Sequence, residues 1–132
     1  SSSGGTQGGL LAGLALAGLE TRLIGISADE SEASLRLIVE DIERGVLALA
    51  GSDATPRRAE VSDSFVGEGY GIPTEASREA QILLARSEAI IVDHTYTAKG
   101  LAGLIALVRA RGLREGASIL FWHTGGQVGV LA

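Results

Sequence analysis

The sequence predicts an α/β protein in which a parallel sheet is flanked by helices in a three-layer α/β/α arrangement. Helical and strand-like segments alternate along all 132 residues. Four short strand-like segments are predicted along the chain. Each is linked to the next through a helical segment, and parallel strands need such crossover connections. We therefore expect one α/β domain over residues 1–132.

Composition and charge exclude several classes of protein. A hydrophobic content of 45% is too high for a disordered chain, and 19 glycines without a triplet period exclude collagen. The net charge of −5 argues against a nucleic acid or an anionic membrane as partner. The chain has no cysteine, which excludes disulfides and thiolate metal sites, and we expect a cytoplasmic location.

The sequence carries no recognisable targeting signal or membrane segment. Its most apolar early stretch, residues 8–19, has no basic flank, is too short to span a bilayer and is interrupted by glycines. The sequence also contains no methionine, so we expect a processed chain or an excerpt of a longer one.

Three elements are predicted in the first half of the chain. Small and apolar residues over 8–19 favour a buried helix, and residues 22–28 (RLIGISA) favour a short apolar strand. Asp29 and Ser31 are suited to cap the start of the next helix. That helix is amphipathic, since apolar residues recur at three- and four-residue steps at Leu35, Ile38, Val39, Ile42, Val46 and Leu49.

The second half of the chain continues the alternation. In chain order it is predicted to contain a turn at 51–58, a strand at 61–66, a glycine-rich loop at 67–74, a helix at 75–87, a strand at 89–93, a helix at 98–111 and a strand at 118–123. The inward-facing residues of the two helices are predicted to be Ala76, Ala80, Leu83 and Leu84 in the first, and Leu101, Leu104, Ile105 and Val108 in the second.

Ligands of such sheets bind beyond the carboxyl ends of the strands, where loops lead into helices. The loops in such positions are residues 3–8, 67–74, 93–99 and 123–127. The first contains Ser3, Gly4, Gly5 and Thr6 at a helix start, where glycines, hydroxyls and the helix dipole make a candidate phosphate cradle. The alternative is a flexible linker, because neither the P-loop motif nor the dinucleotide-binding glycine motif is present.

The last two loops carry further reactive groups. Thr124 and Gly125 follow an apolar run, so the Thr124 hydroxyl is a candidate ligand-binding group; the alternative is a tight turn without a ligand. Lys99 is the only lysine, and it is either an activated amine or a solvated charge at a helix start. His94 and His123 lack the spacing of a metal motif, so we predict no metal site.

A family resemblance extends across essentially the whole chain. It is carried by five blocks: SSGGTQGGL at 2–10, LIGIS at 23–27, GYGIPTEASREA at 69–80, DHTYTAKGLAGLI at 93–105 and LREGASILFWHTGG at 113–126. In this order they resemble the D-cysteine desulfhydrase and 1-aminocyclopropane-1-carboxylate (ACC) deaminase family. The resemblance implies a pyridoxal-phosphate enzyme of the tryptophan-synthase-β fold (fold type II), with this chain as the C-terminal part of its large cofactor domain.

Carried over by position, the resemblance assigns seven residues to the cofactor. They are Ser3, Gly4, Gly5, Thr6, Thr97, Thr124 and Gly125, of which the first four would hold the phosphate. A neutral Thr124 hydroxyl at the pyridine nitrogen suits elimination better than reactions that need a full electron sink. Tyr70 and Tyr96 are implied to lie in the same cleft, close to the substrate.

The same positions bear on the substrate. Thr97 and Thr124 resemble the desulfhydrase branch. In the deaminase branch, the corresponding motifs resemble Tyr-Glu and, later in the chain, His-Leu-Gly-Gly. His94 and Ala98 depart from the family, which commonly has proline and glycine there. We therefore expect that loop to differ in detail.

The resemblance implies a lyase that converts D-cysteine, a small amino-acid substrate, to pyruvate, ammonia and sulfide, with a homodimeric parent protein. The alternative among enzymes is ACC deaminase or another sulfur or sulfonate amino-acid lyase. The alternative outside enzymes is a non-catalytic, phosphate-binding α/β module. Because the family's Schiff-base lysine lies upstream of the phosphate loop, Lys99 does not inherit that role, and the isolated chain is expected to be inactive.

Overall fold

The computed structural model describes residues 1–126, in which helices and strands alternate until two helices follow one another at the end. The elements are α1 (Gly5–Leu16), β1 (Ile24–Ile26), α2 (Glu32–Leu49), β2 (Glu60–Ser62), α3 (Glu75–Glu88) and α4 (Thr97–Arg109). They form two compact units, residues 1–63 and residues 64–126, and each unit is described by itself.

The first unit contains a parallel pair of strands. β1 pairs with β2 in the register Ile24–Glu60, Gly25–Val61 and Ile26–Ser62. Helix α2 connects the two strands and thus provides the crossover that parallel pairing requires. The predicted parallel pairing is therefore confirmed for these two strands. Helix α1 packs against α2, and the core between the elements is formed by Leu11, Leu35, Val39 and Ala59.

Helix α2 begins where the sequence predicts. The Ser31 hydroxyl accepts a hydrogen bond from the Ser34 N–H (3.2 Å), as an N-cap residue does. Leu35 and Val39 are fully buried, which confirms the inward face predicted for them. Ile38 and Leu49 were placed on that face incorrectly: they are 38% and 91% exposed, whereas Leu47, in the same last turn as Leu49, is 3% exposed and takes the buried position there.

Two carboxylates of α2 hold the segment that leads into β2. Glu43 is fully buried, and both of its carboxylate oxygens accept from the Arg57 N–H at 3.2 Å. One helical turn earlier, the Glu40 carboxylate accepts from the Ala59 N–H at 3.2 Å. Backbone groups that would otherwise lack partners are thereby satisfied by charge-assisted hydrogen bonds.

In the second unit, α3 packs against α4. Thr74 and Ser77 form a capping box at the start of α3, in which each side chain bonds to the backbone N–H of the other. The core of the unit is formed by Ala80, Val92, Ala98, Leu101 and Ala102. Ala76, Leu83 and Val108 were predicted to face inward, but all three are exposed, Leu83 at 49% and Val108 at 53%, and Ser77 and Ala80 are the buried residues of α3 instead.

Two predicted strands of the second unit are wrong. Residues 89–93 and 118–123 have no strand partner among the described residues. At the end of the first segment, backbone groups form hydrogen bonds with side chains instead of with a neighbouring strand. The Gln81 amide donates to the Val92 carbonyl (2.7 Å), and the Asp93 N–H donates to the Thr97 hydroxyl (2.9 Å). Apolar sequence alone does not make a strand, because a ladder needs a paired backbone.

The strand predicted at 61–66 is shorter than predicted and begins one residue earlier, since β2 extends from Glu60 to Ser62.

Within residues 1–126, no helix is both long enough and apolar enough to cross a membrane.

Candidate functional site

The predicted phosphate cradle lies at the start of α1, in the first unit. Gly4 is buried and has a left-handed backbone (φ 76°); a Cβ there would lie 2.9 Å from Ile38 Cγ2, so the position requires glycine. The cap provides no side-chain hydrogen bond, and the first turn carries no acidic residue. As at every helix start, the first N–H groups of α1 have no intrahelical partner. Ser3 and Thr6 are exposed at this position.

Gln7 attaches this helix start to the sheet, a contact that sequence reasoning missed. Its side chain is 4% exposed, and its amide donates to the Glu60 carbonyl in β2 at 2.9 Å. A Cβ at Gly25 of β1 would overlap the Gln7 side chain. A glycine inside an otherwise apolar strand was the available signal, because such a glycine often marks a close approach by another group.

Tyr70 and Tyr96 are brought together in the second unit. Their hydroxyl oxygens lie 2.5 Å apart, and the rings pack edge to face with centroids 5.6 Å apart. Tyr70 is 57% exposed and Tyr96 is 40% exposed. Two phenol groups that share a hydrogen bond at an accessible surface can hold or pass a proton.

Asp93 organises the loop that carries Tyr96. Its side chain is 2% exposed and accepts from the N–H groups of Thr95 (2.9 Å), Tyr96 (2.7 Å) and Thr97 (3.1 Å), and from the Thr97 hydroxyl (2.5 Å). Burial acts to raise the pKa of Asp93, but these hydrogen bonds to the ionised form outweigh it, and the pKa lies below its ordinary value. The Thr97 hydroxyl, a predicted cofactor group, is bonded to Asp93 here.

Lys99 lies in the first turn of α4 and is fully buried, so the interpretation as a solvated charge is wrong. Its Nζ donates to the carbonyl oxygens of Val66 and Gly69, each at 2.8 Å. These carbonyls belong to the segment that leads to Tyr70. The ammonium group thereby links the start of α4 to the glycine-rich loop.

The loop that contains Thr124 lies next to Asp93. A Cβ at Gly126 would overlap the Asp93 carboxylate, so the two loops touch at a position where only glycine fits. The Gly125 N–H donates to His123 Nδ1 at 3.3 Å, and Thr124 is exposed. Gln127, the last residue assigned to this loop from sequence, lies outside the described residues.

The structure thus joins three of the four predicted loops within the second unit, while the phosphate cradle belongs to the first unit. Among residues 1–126, no group of three or more histidine, aspartate or glutamate side chains is arranged to hold a metal ion.

A comparison with protein families identifies the class. The family model described as "Pyridoxal-phosphate dependent enzyme" matches residues 1–125. The chain therefore belongs to the family of pyridoxal-phosphate dependent enzymes. Within it, the chain is 35% identical over 134 aligned residues to the D-cysteine desulfhydrases of Salmonella paratyphi C and Salmonella typhi. The alignments cover 100% of this chain and 40% of each relative.

A solved structure supports the same grouping. The fold is similar to that of an ACC deaminase homologue, with a TM-score of 0.78 and 28% sequence identity, over 87% of this chain and 35% of that one. The predicted fold class and the family resemblance are thereby confirmed. The chain spans well under half the length of the relatives that it matches.

Proposed function

We propose that this chain is the cofactor-holding part of a pyridoxal-phosphate dependent lyase that acts on D-cysteine. The reaction is an α,β-elimination in which D-cysteine and water yield pyruvate, ammonia and hydrogen sulfide. The observation that carries the proposal is the 35% identity to D-cysteine desulfhydrases along the entire chain. Because the relatives are longer, catalysis is assigned to the parent protein, and the isolated chain is expected to be inactive.

The start of α1 fits the cofactor phosphate. Gly4 fits its site only without a side chain, and the N–H groups of the following helix turn, which no side chain caps, suit an anion. We assign the backbone of Gly4 and Gly5 and the hydroxyls of Ser3 and Thr6 to the phosphate. A phosphate at this position would also satisfy the N–H groups that no side chain caps.

The family resemblance assigns the groups for the ring and the substrate to loops of the second unit. When bound, pyridoxal phosphate supplies an electron sink that acidifies the α-proton of an amino acid. The exposed Thr124 hydroxyl is assigned to the pyridine nitrogen, and Gly125 lets the backbone approach the ring without a side chain. Thr97, through its bond to Asp93, orders the loop between them.

Tyr70 and Tyr96 are assigned to proton handling. Each phenol oxygen can donate or accept a hydrogen bond. When one hydroxyl gives up its proton, the other can donate a hydrogen bond to the resulting phenolate oxygen. Both residues are exposed, Tyr70 at 57% and Tyr96 at 40%. They are therefore suited to protonate the departing sulfur or to hold the substrate in position.

The parent protein is expected to release sulfide and pyruvate from D-cysteine. Tyr96→Phe should lower kcat about 100-fold, as expected for loss of a positioned proton donor. Arg44→Gln is the control, because Arg44 forms an exposed ion pair with Asp41 away from the assigned residues, and it should leave kcat unchanged. Sulfide and pyruvate are measured in parallel, and full activity of the Tyr96→Phe protein would contradict the assignment.

ACC deaminase activity is the second candidate, because the solved relative is an ACC deaminase homologue. The two reactions differ in their products: ACC gives 2-oxobutyrate and ammonia without sulfide. Assays of the parent protein with both substrates, and with L-cysteine as a stereochemical control, separate the candidates. A higher kcat/KM for ACC than for D-cysteine would overturn the desulfhydrase proposal.

A non-catalytic phosphate-binding module is the alternative from another class. A parent protein that binds pyridoxal phosphate reversibly but converts neither D-cysteine nor ACC would favour it. Incubation of the 132-residue chain with pyridoxal phosphate, borohydride reduction and intact-mass measurement test the separate assignment that Lys99 does not react with the cofactor. We expect reversible binding that inorganic phosphate displaces, and no stoichiometric adduct, because the Lys99 amine is buried and bonded to two carbonyls. Stoichiometric labelling of Lys99 together with turnover would overturn this assignment.

The same proposal covers partners and location. The parent protein is assigned a small amino-acid substrate, a homodimeric state and a place in the cytoplasm, as the resemblance implies. Sedimentation equilibrium of the parent and cell fractionation test the last two.

A further inference from the structure

The glycine-rich loop that carries Tyr70 has little backbone bonding of its own. Gly67, Gly69 and Gly71 all have positive φ angles (67°, 142° and 73°), and the Ile72 N–H reaches the Gly69 carbonyl only at 3.4 Å. Such a segment loses much conformational entropy when it is ordered. A contact from outside the loop is therefore needed to hold Tyr70 in one place.

Lys99 supplies that contact. Its fully buried ammonium group donates to the carbonyls of Val66 and Gly69, which lie before and within the loop and next to Tyr70. Hydrogen bonds from a charged donor are among the stronger ones in proteins. Lys99 itself lies three residues after Tyr96, in the first turn of α4. One side chain thus ties the Tyr70 loop to the helix start that carries Tyr96.

We infer that Lys99 is a positioning residue that holds the Tyr70 hydroxyl against the Tyr96 hydroxyl, rather than an amine that reacts with the cofactor. This inference rests on the proposed function, because it takes the two tyrosines as the proton-handling pair. It predicts that loss of Lys99 separates the hydroxyls while the helices of the unit remain folded. The loss should act on the reaction only through Tyr70.

The first test needs no catalytic activity. Tyr70 and Tyr96 are the only tyrosines in the 132-residue chain, so intramolecular dityrosine reports this pair alone. Photo-oxidation with a ruthenium sensitiser and persulfate joins neighbouring tyrosine rings, and fluorescence and mass of the monomer quantify the product. Lys99→Met should lower the yield roughly tenfold, because the two charge-assisted hydrogen bonds are lost. Tyr70→Phe should abolish the product.

Arg109→Gln is the matched control. It also removes one cation from α4, but within residues 1–126 the ion pair of Arg109 is with Glu79 at the surface. Its dityrosine yield should equal that of the unchanged chain. An unchanged yield in Lys99→Met would overturn the inference. So would global loss of helical circular dichroism in both Lys99→Met and Lys99→Gln, because a loop-positioning residue leaves α3 and α4 folded.

The second test is a double-mutant cycle in the parent protein. Lys99→Met should lower kcat about 10- to 100-fold with little change in KM, as misplacement of a catalytic group does. In a Tyr70→Phe background, the same substitution should have almost no further effect, because Lys99 then has no hydroxyl to position. Additive effects would contradict the inference. If the parent lacks activity while the dityrosine result holds, the proposed function fails and the positioning role stands.

Discussion

Gly8→Ala is expected to destabilise the first unit by about 2–3 kcal/mol, the cost of overpacking a close contact. Gly8 lies where α1 crosses α2, and a Cβ there would lie 2.6 Å from Ile42 Cγ2 and 3.0 Å from the Val39 carbonyl oxygen. The second of these atoms is backbone and cannot move aside. The helices must therefore separate, which also disturbs the phosphate cradle at the start of α1.

The neighbouring glycine provides the control. A Cβ at Gly9 would meet nothing within 4 Å, so Gly9→Ala should stabilise the chain by about 0.5–1 kcal/mol through helix propensity. Urea unfolding followed by far-UV circular dichroism measures both variants, and hydrogen exchange of peptides from α1 and α2 locates the change. Equal effects of the two substitutions would show that the α1–α2 contact is looser than described.

Asp93→Ala is expected to cost about 3–4 kcal/mol, because it removes a buried carboxylate that accepts four hydrogen bonds. The N–H groups of Thr95, Tyr96 and Thr97 would lose their acceptor, and the start of α4 would lose its order. Tyr96 would then no longer be held beside Tyr70. We expect the Trp122 fluorescence transition in urea to shift to lower concentration, and the dityrosine yield to fall as well.

The sign of the pH dependence follows from the lowered pKa of Asp93. Its stabilisation is complete above the ordinary aspartate pKa and is lost as the pH falls through the folded-state value. Asp93→Asn should therefore flatten the acid limb of the stability curve. Asp53→Ala, at an exposed aspartate, is the control and should change neither the stability nor its pH dependence. An unchanged acid limb in Asp93→Asn would show that other carboxylates govern it.

Local patterns predicted the helices well. The spacing of Leu35 and Val39, with Ser31 before them, identified α2 and its first turn, because amphipathic periodicity and capping depend on neighbouring residues. The prediction of strands at 89–93 and 118–123 was wrong because strand formation depends on residues far away in the sequence. Backbone pairing depends on a partner elsewhere, and an apolar run carries no information about whether that partner is present.

The residues of the candidate site also fall into those that the sequence predicted and those that it did not. Residue identity and order pointed to Tyr70, Tyr96, Thr124 and the cradle around Gly4, and their roles remain predictions. The roles of Asp93 and Lys99 were missed, although an aspartate four residues before a threonine at a helix start is a recognisable capping pattern. The Lys99 contact had no local signal, because its two acceptors lie 33 and 30 residues away.

Residue type and spacing were sufficient to predict the family, the four helices and the glycines of the proposed cradle. The burial of the single lysine against a loop and the hydrogen bond between two distant tyrosines could be seen only in the folded chain. Burial and long-range hydrogen bonds arise here from the packing of α4 against the glycine-rich loop. That packing depends on shape and polar partners contributed by both segments at once.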